Sequence, residues 1–207
     1  ALLPHHKAYE LPSDSSGEAA QAPFLQQIRR QLPTVSGGGP TLCYSASPEC
    51  MKVCLVYSGQ NETNDAPRMA KRYKSNMLLL EPAAFVRMLV AAIETHVRRC
   101  ERESYEPFFR LNVYSDMPWE IFTPWLFKRF PKVSFYDYTK VPSRVTPKNY
   151  HLSFSYSGKN VRPCRSEAER GINPVFVFGI RKKDPKPARL NVDGHVLPVL
   201  KGDHSDV

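Results

Sequence analysis

The chain has 207 residues, 42% of them apolar with 11 Phe and 10 Tyr, enough to bury one core and form one domain of ordinary size without disulfide staples. No run of about 18 apolar residues occurs and no basic-then-apolar leader is readable, which argues against a membrane-spanning helix and a secretory signal and leaves a cytoplasmic protein as the expectation. The formal charge is +9, and since residues 1–40 carry three basic and three acidic groups, the excess lies in 41–207, which favours a polyanionic partner such as nucleic acid.

Residues 1–40 are rich in Ser, Gly, Ala and Pro, broken only by "FLQQIRRQL", and read as a flexible arm or linker. His5 and His6 lie in this arm, adjacent, and lack the alternating spacing of a metal-binding pair. The texture changes at Thr41, where a domain over 41–207 is expected to begin with "CYSASPECMKVC". This stretch sets Cys43, Cys50 and Cys54 at C-x6-C-x3-C, with Cys100 and Cys164 far away. An odd count with three crowded together is not a secreted disulfide framework, and in a reducing compartment such a group is a metal or redox site more often than a set of idle thiols. Three thiolates from one loop can hold three corners of a 4Fe-4S cluster, or three positions of a zinc ion whose fourth ligand is Cys100, Cys164, His96 or His151. Lys52 and the basic helix that follows are expected to keep the thiolates ionised.

"NDAPRMAKRYKSNMLLL" opens a helix, with Asp65 as N-cap and Pro67 in the first turn. In "EPAAFVRMLVAAIETHVRRC", Phe85, Met88, Leu89, Ala92, Ile93 and Val97 recur at helical spacing and predict a helix packed on the core. The runs that follow, "FFRLNVYSD", "KVSFYDYTK", "NYHLSFSYS" and "NPVFVFGI", read as strands at 109–116, 133–138, 150–157 and after 173, separated by helical or irregular crossovers. The order implies α/β architecture: a partial (β/α) barrel or a mostly parallel sheet with flanking helices. His151, Ser153, Ser155 and Ser157 alternate with Leu152, Phe154 and Tyr156, so one sheet face is polar and suits a lumen or cleft. Ligands of parallel sheets sit beyond the carboxyl ends of the strands, which selects Asp116, Asp137, Lys140, Ser157 and Lys159.

Trp119, Trp125, Tyr136 and Tyr138 could stack bases or fill the core. "RKKDPKPAR" is an exposed basic loop, and His195, His204, Asp193, Asp203 and Asp206 belong to turns and a tail. No Gly-rich phosphate loop and no nucleotide-binding fingerprint occurs.

In its order of "CYSASPECMKVCLVYSG", a basic helix, "RLNVYSDMPWE", "FPKVSFYDYTKVPSR", "NYHLSFSYSGKN" and "GINPVFVFG", the chain resembles the phage and prophage gene product 88 family over about 41–206. More distantly it resembles phage proteins of radical-SAM-like layout, with Ser115 and Asp116, then Thr139, Lys140, Pro142 and Arg144, at corresponding places. That likeness implies a half-barrel with an iron–sulfur cluster on Cys43, Cys50 and Cys54, with Asp116, Asp137, Lys140 and Ser157 positioning S-adenosylmethionine or another cosubstrate. The standard radical motif is C-x3-C-x2-C, from which this spacing departs. The alternative from another class is a non-enzymatic nucleic-acid-binding factor of phage or plasmid replication with a structural zinc.

Overall fold

A computed structural model of the chain describes residues 42–43, 45–52, 54, 64–181 and 184–200; the arm expected over 1–40 lies outside them. A short helix α1 (Pro48–Lys52) carries Cys50 and is followed by two long helices, α2 (Asp65–Leu80) and α3 (Pro82–Glu103). Asn64, rather than Asp65, is the N-cap of α2: its side chain accepts from the Ala66 N–H at 3.0 Å, while Asp65 adds a charge favourable to the helix dipole. Glu81 separates the two helices, and Pro82 starts α3 where a missing N–H costs nothing. The buried line of α3 runs through Val86, Ile93 and Cys100, flanked by Phe85, Leu89 and Val97. Met88 and Ala92, expected on that stripe, turn to solvent because the stripe is rotated by about one residue.

Strands β1 (Phe108–Arg110), β2 (Ser134–Thr139), β3 (Tyr150–Ser155) and β4 (Asn173–Val175) form a four-stranded sheet in the order β1-β2-β3-β4, every neighbouring pair parallel. Helices α4 (Trp119–Phe122) and α5 (Pro124–Arg129) join β1 to β2, and α6 (Val161–Glu169) joins β3 to β4. A hairpin of β5 (Arg189–Val192) and β6 (His195–Pro198) follows, turning through Asp193 and Gly194, both with positive φ. The expected α/β class with a parallel sheet and flanking helices is therefore present.

Two of the expected strands are shorter than their alternation suggests. β1 ends at Arg110 because the Asn112 N–H donates to the Asp137 carboxylate at 2.6 Å and the Asn112 side chain organises the next turn, donating to the Met117 carbonyl and accepting from Ser115 and Met117. A side chain has taken the place of a ladder partner. β4 ends at Val175, although the apolar run continues to Ile180.

Register assigns the two faces. Phe109, Phe135, Tyr150, Leu152 and Phe154 lie on one, where Phe127 of α5 meets Phe135 and Tyr150 at centroid distances of 5.1 and 4.8 Å, His96 of α3 meets Phe109, and Cys164 of α6 joins Phe154 and Val192. Arg110, Tyr136, Tyr138, His151, Ser153 and Asn173 lie on the other, belong to neither core cluster and are half-buried or exposed. The polar face expected from β3 is present.

Candidate functional site

The cysteine loop is fastened across the carboxyl ends of the strands. Cys43 forms a parallel bridge with Asp116, the Asp116 N–H donates to the Leu42 carbonyl at 2.9 Å, and the Cys43 thiol points at the Tyr114 carbonyl, 3.8 Å away. Within the loop, Ser47 Oγ accepts from the Cys50 N–H at 3.1 Å, which starts α1. Glu49 of α1 is ion-paired with Lys159, beyond the end of β3. The loop thus spans from the end of β1 to the end of β3, the side of a parallel sheet that collects ligands.

Burial, then the charges of Asp116, Cys54 and Cys50, push the Cys43 thiol up to about 11, with Lys140 opposing. Lys52 and the following basic helix, expected to help keep the thiolates ionised, are not among the charges that set the Cys43 thiol; burial and the neighbouring Asp116 carboxylate raise it. Cys50 and Cys54 lie near enough for their charge to act on Cys43, and all three are half-buried and outside any disulfide. A single zinc ion requires Zn–S bonds of about 2.3 Å, so its thiolates crowd together. Among the described residues no three Cys, His, Asp or Glu gather as such a set. A cluster binds each thiolate through a different iron and takes wider spacing. Lys71 of α2 supplies a second sign of fit: its ammonium is buried with no hydrogen-bond partner among the described residues and stands 3.8 Å from the centroid of the Tyr114 ring, the residue whose carbonyl faces Cys43. A buried cation so placed suits an anionic group nearby.

Asp116 and Asp137 do not open into a common cleft. Asp116 accepts from Thr139 Oγ1 at 2.7 Å, the Lys140 N–H at 2.8 Å and Arg144 at 3.4 Å, so the "SD" and "TKVPSR" segments lock the ends of β1 and β2 together. Asp137 accepts from both nitrogens of Asn112 and from the Tyr150 hydroxyl at 2.7 Å. Arg144 joins the two networks, donating to Tyr150 at 3.1 Å and pairing with Glu120 at 2.6 Å. Burial pushes the Asp137 carboxyl up to about 6, against the hydrogen bonds of Tyr150 and Asn112 and the charges of Arg144 and Arg110. Burial and then Asp137 raise the Tyr150 hydroxyl well above its ordinary range. Ser157 is half-buried past the end of β3, its N–H donating to Asn160 Oδ1 at 2.6 Å.

Sequence reasoning did not single out Asn112, Tyr150, Lys71 or Tyr114. Asn112 had a readable signal, a strand-breaking polar residue within "RLNVYSD". Tyr150 and Lys71 had none, because their roles depend on residues distant in sequence. Trp119 is buried and Trp125 packs against the same core, whereas Tyr136 and Tyr138 lie half-buried on the opposite, polar face of the sheet. A cleft of about 410 Å³ lies toward the amino ends of β3 and β4, lined by Tyr136, Lys148, His151, Ser153 and Asn173 among others, at the opposite end of the strands from the cysteine loop. Asp193 sits in the hairpin turn as expected; His204, Asp203 and Asp206 lie outside the described residues, as do His5 and His6.

The family model described as gene product 88 matches residues 10–207. No curated protein and no solved structure matches the chain.

Proposed function

The chain belongs to the gene product 88 family of phage proteins, and we propose that it binds an iron–sulfur cluster through Cys43, Cys50 and Cys54. The observation that supports this reading is a cysteine loop fastened through Cys43 at the carboxyl ends of a parallel sheet, with Cys50 and Cys54 near enough for their charge to act on Cys43 and the buried Lys71 ammonium on the ring of Tyr114, whose carbonyl faces Cys43. When bound, such a cluster with an open iron supplies electron transfer and, with S-adenosylmethionine, radical initiation. The chain's own residues have separable tasks. Lys140 offsets negative charge at Cys43, and Lys71, on the Tyr114 ring, would offset that of a bound cluster. Asp116 and Asp137, engaged with Thr139, Arg144, Asn112 and Tyr150, hold the strand ends in place, and Lys140 and Ser157 are the groups offered to a cosubstrate.

Purification without oxygen followed by iron, sulfide and zinc analysis tests the proposal. Coloured protein with iron and sulfide that disappear in Cys43→Ser, Cys50→Ser and Cys54→Ser is expected. Colourless, iron-free protein from that preparation overturns it. Zinc near one per chain instead selects the alternative, a nucleic-acid-binding factor with a structural zinc.

A further inference from the structure

Cys43 is held against a turn rather than a ladder. β1 ends at Arg110, and the residues that receive the cysteine loop, Tyr114 and Asp116, belong to the turn that follows. One buried amide shapes that turn. Asn112 Oδ1 accepts from Ser115 Oγ at 2.7 Å and from the Met117 N–H and Trp119 Nε1, each at 3.1 Å, while Nδ2 donates to the Met117 carbonyl at 2.9 Å and to Asp137 Oδ2 at 3.1 Å. Turning the amide over would set its NH2 against the Met117 and Trp119 donors, so one orientation is selected. Asp137 fixes it from β2, accepting the Asn112 N–H on Oδ1 at 2.6 Å and both Asn112 Nδ2 and the Tyr150 hydroxyl on Oδ2.

All three of those neighbours donate, and a protonated carboxyl would place a donor where a donor already stands. On Oδ1 the proton would face the Asn112 N–H; on Oδ2 it would compete with Asn112 Nδ2 and the Tyr150 hydroxyl, which already accepts from Arg144 at 3.1 Å. Either way the bonds to Asn112 lose the charge that strengthens them. The charged groups around this carboxyl are Arg110 of β1, which also donates to the Asn112 carbonyl at 3.1 Å, and Arg144 of the loop between β2 and β3, itself shared with Glu120 of α4 and with Asp116. Burial, the largest influence, opposes the charge that these two cations favour, so the proton is taken up at about 6.

We infer that Asp137 is a proton-operated latch for the cysteine loop: charged, it holds Asn112 and the turn that carries Cys43 in place, and protonated, it releases them. The two consequences of protonation run in opposite directions. The fold as a whole gains stability, since a buried charge is removed, while the turn under Cys43 loses its brace. A residue that only supports the core would move both together. The latch acts on the position of the loop, so it stands whether or not the thiols hold a cluster.

Amide hydrogen exchange of the full chain, reduced and freed of metal, followed by NMR and corrected for intrinsic rates, tests it. The Asp116 N–H, which donates to the Leu42 carbonyl, is expected to lose protection by about ten-fold, the worth of one hydrogen bond to a charged acceptor, as pH falls from about 7 to about 5. The amides of β3 should hold or gain protection over the same range. Asp137→Asn should remove the step and leave the Asp116 N–H at the low level throughout. Tyr150→Phe, which takes a hydrogen bond from the charged carboxyl, should move the midpoint upward. Parent protection that stays level across the range overturns the inference, as does a fall shared equally by β3, which would be a general loosening. A step unchanged in Asp137→Asn overturns it too, by assigning the titration to Asp116, His96 or His151, and an unmoved midpoint in Tyr150→Phe does the same. Iron analysis of the oxygen-free preparation reads the cluster separately: bound iron with no step denies the latch alone, and a step without iron denies the cluster alone.

Discussion

Arg144 is the buried cation on which three acidic or phenolic side chains depend. It pairs with Glu120 and Asp116 and donates to Tyr150, and Glu120 holds it protonated in spite of burial. Arg144→Met leaves two carboxylates facing a low-dielectric interior without their partner, so a loss of about 3–5 kcal/mol is expected in urea unfolding. Arg144→Lys keeps the charge but loses the planar fork and should fall between. A loss for the Met variant below about 1 kcal/mol would show the network to be slack. Lys71 gives the opposite expectation. Its buried ammonium has no acceptor, so Lys71→Met should leave the metal-free protein within about 1 kcal/mol of the parent, the lost contact with Tyr114 being offset by relief of desolvation. The same variant, purified without oxygen, should retain less iron. Equal iron retention would deny Lys71 its role at the cysteine loop.

Among the elements, β2 carries a titration. The Asp137 carboxyl binds its proton at about 6 in the folded protein against an ordinary value of 3.8, burial being the main cause. Between those values the folded state holds more protons than the unfolded chain, so stability decreases as pH rises through the window and increases as pH falls. The full span corresponds to about 3 kcal/mol. Asp137→Asn, which carries no such proton, should flatten the pH dependence of the urea midpoint over that window, whatever its cost at a fixed pH. An unchanged slope would place the titration elsewhere. At the N-terminus of α2, Asn64→Ala removes the acceptor of the Ala66 N–H and should cost about 1 kcal/mol in urea unfolding. Helix α1, with five residues, is too short to stand alone. Its position comes from the Cys43 bridge to Asp116 and from the Glu49–Lys159 contact.

Across the described residues, one face of the sheet is packed under helices and the other is half-buried and polar, while Cys43 fastens the cysteine loop at the carboxyl ends. No described helix is long and apolar enough to cross a membrane. If the loop binds metal, binding and stability are linked: ligand at a hundred times its Kd should stabilise the folded chain by about 2.7 kcal/mol. Thermal unfolding under reducing, oxygen-free conditions, with iron and sulfide supplied for reconstitution, should therefore show a higher midpoint in the parent and no shift in the Cys43→Ser variant. A shift that survives the loss of Cys43 would locate the metal at other residues.

Local period and element order were enough to read α3, the alternation of β3 with its polar face and the parallel α/β class, because these follow from neighbours two to four residues apart or from the succession of elements. The ionisation of Cys43 was misread for the opposite reason: burial and Asp116, distant in sequence, outweigh the adjacent basic residues. Only the tertiary structure decided that β1 stops at Arg110, since what ends it is a carboxylate from β2. In the same way it turned Asp116 and Asp137 from exposed strand-end groups into buried links, each satisfied by partners more than a dozen residues away. It also separated the aromatics, burying Trp119 and setting Tyr136 and Tyr138 half-buried on the polar face. Composition fixes how many rings and charges a chain carries; which of them meet water is set by which strand and helix faces come together, and that pairing is written in no single segment.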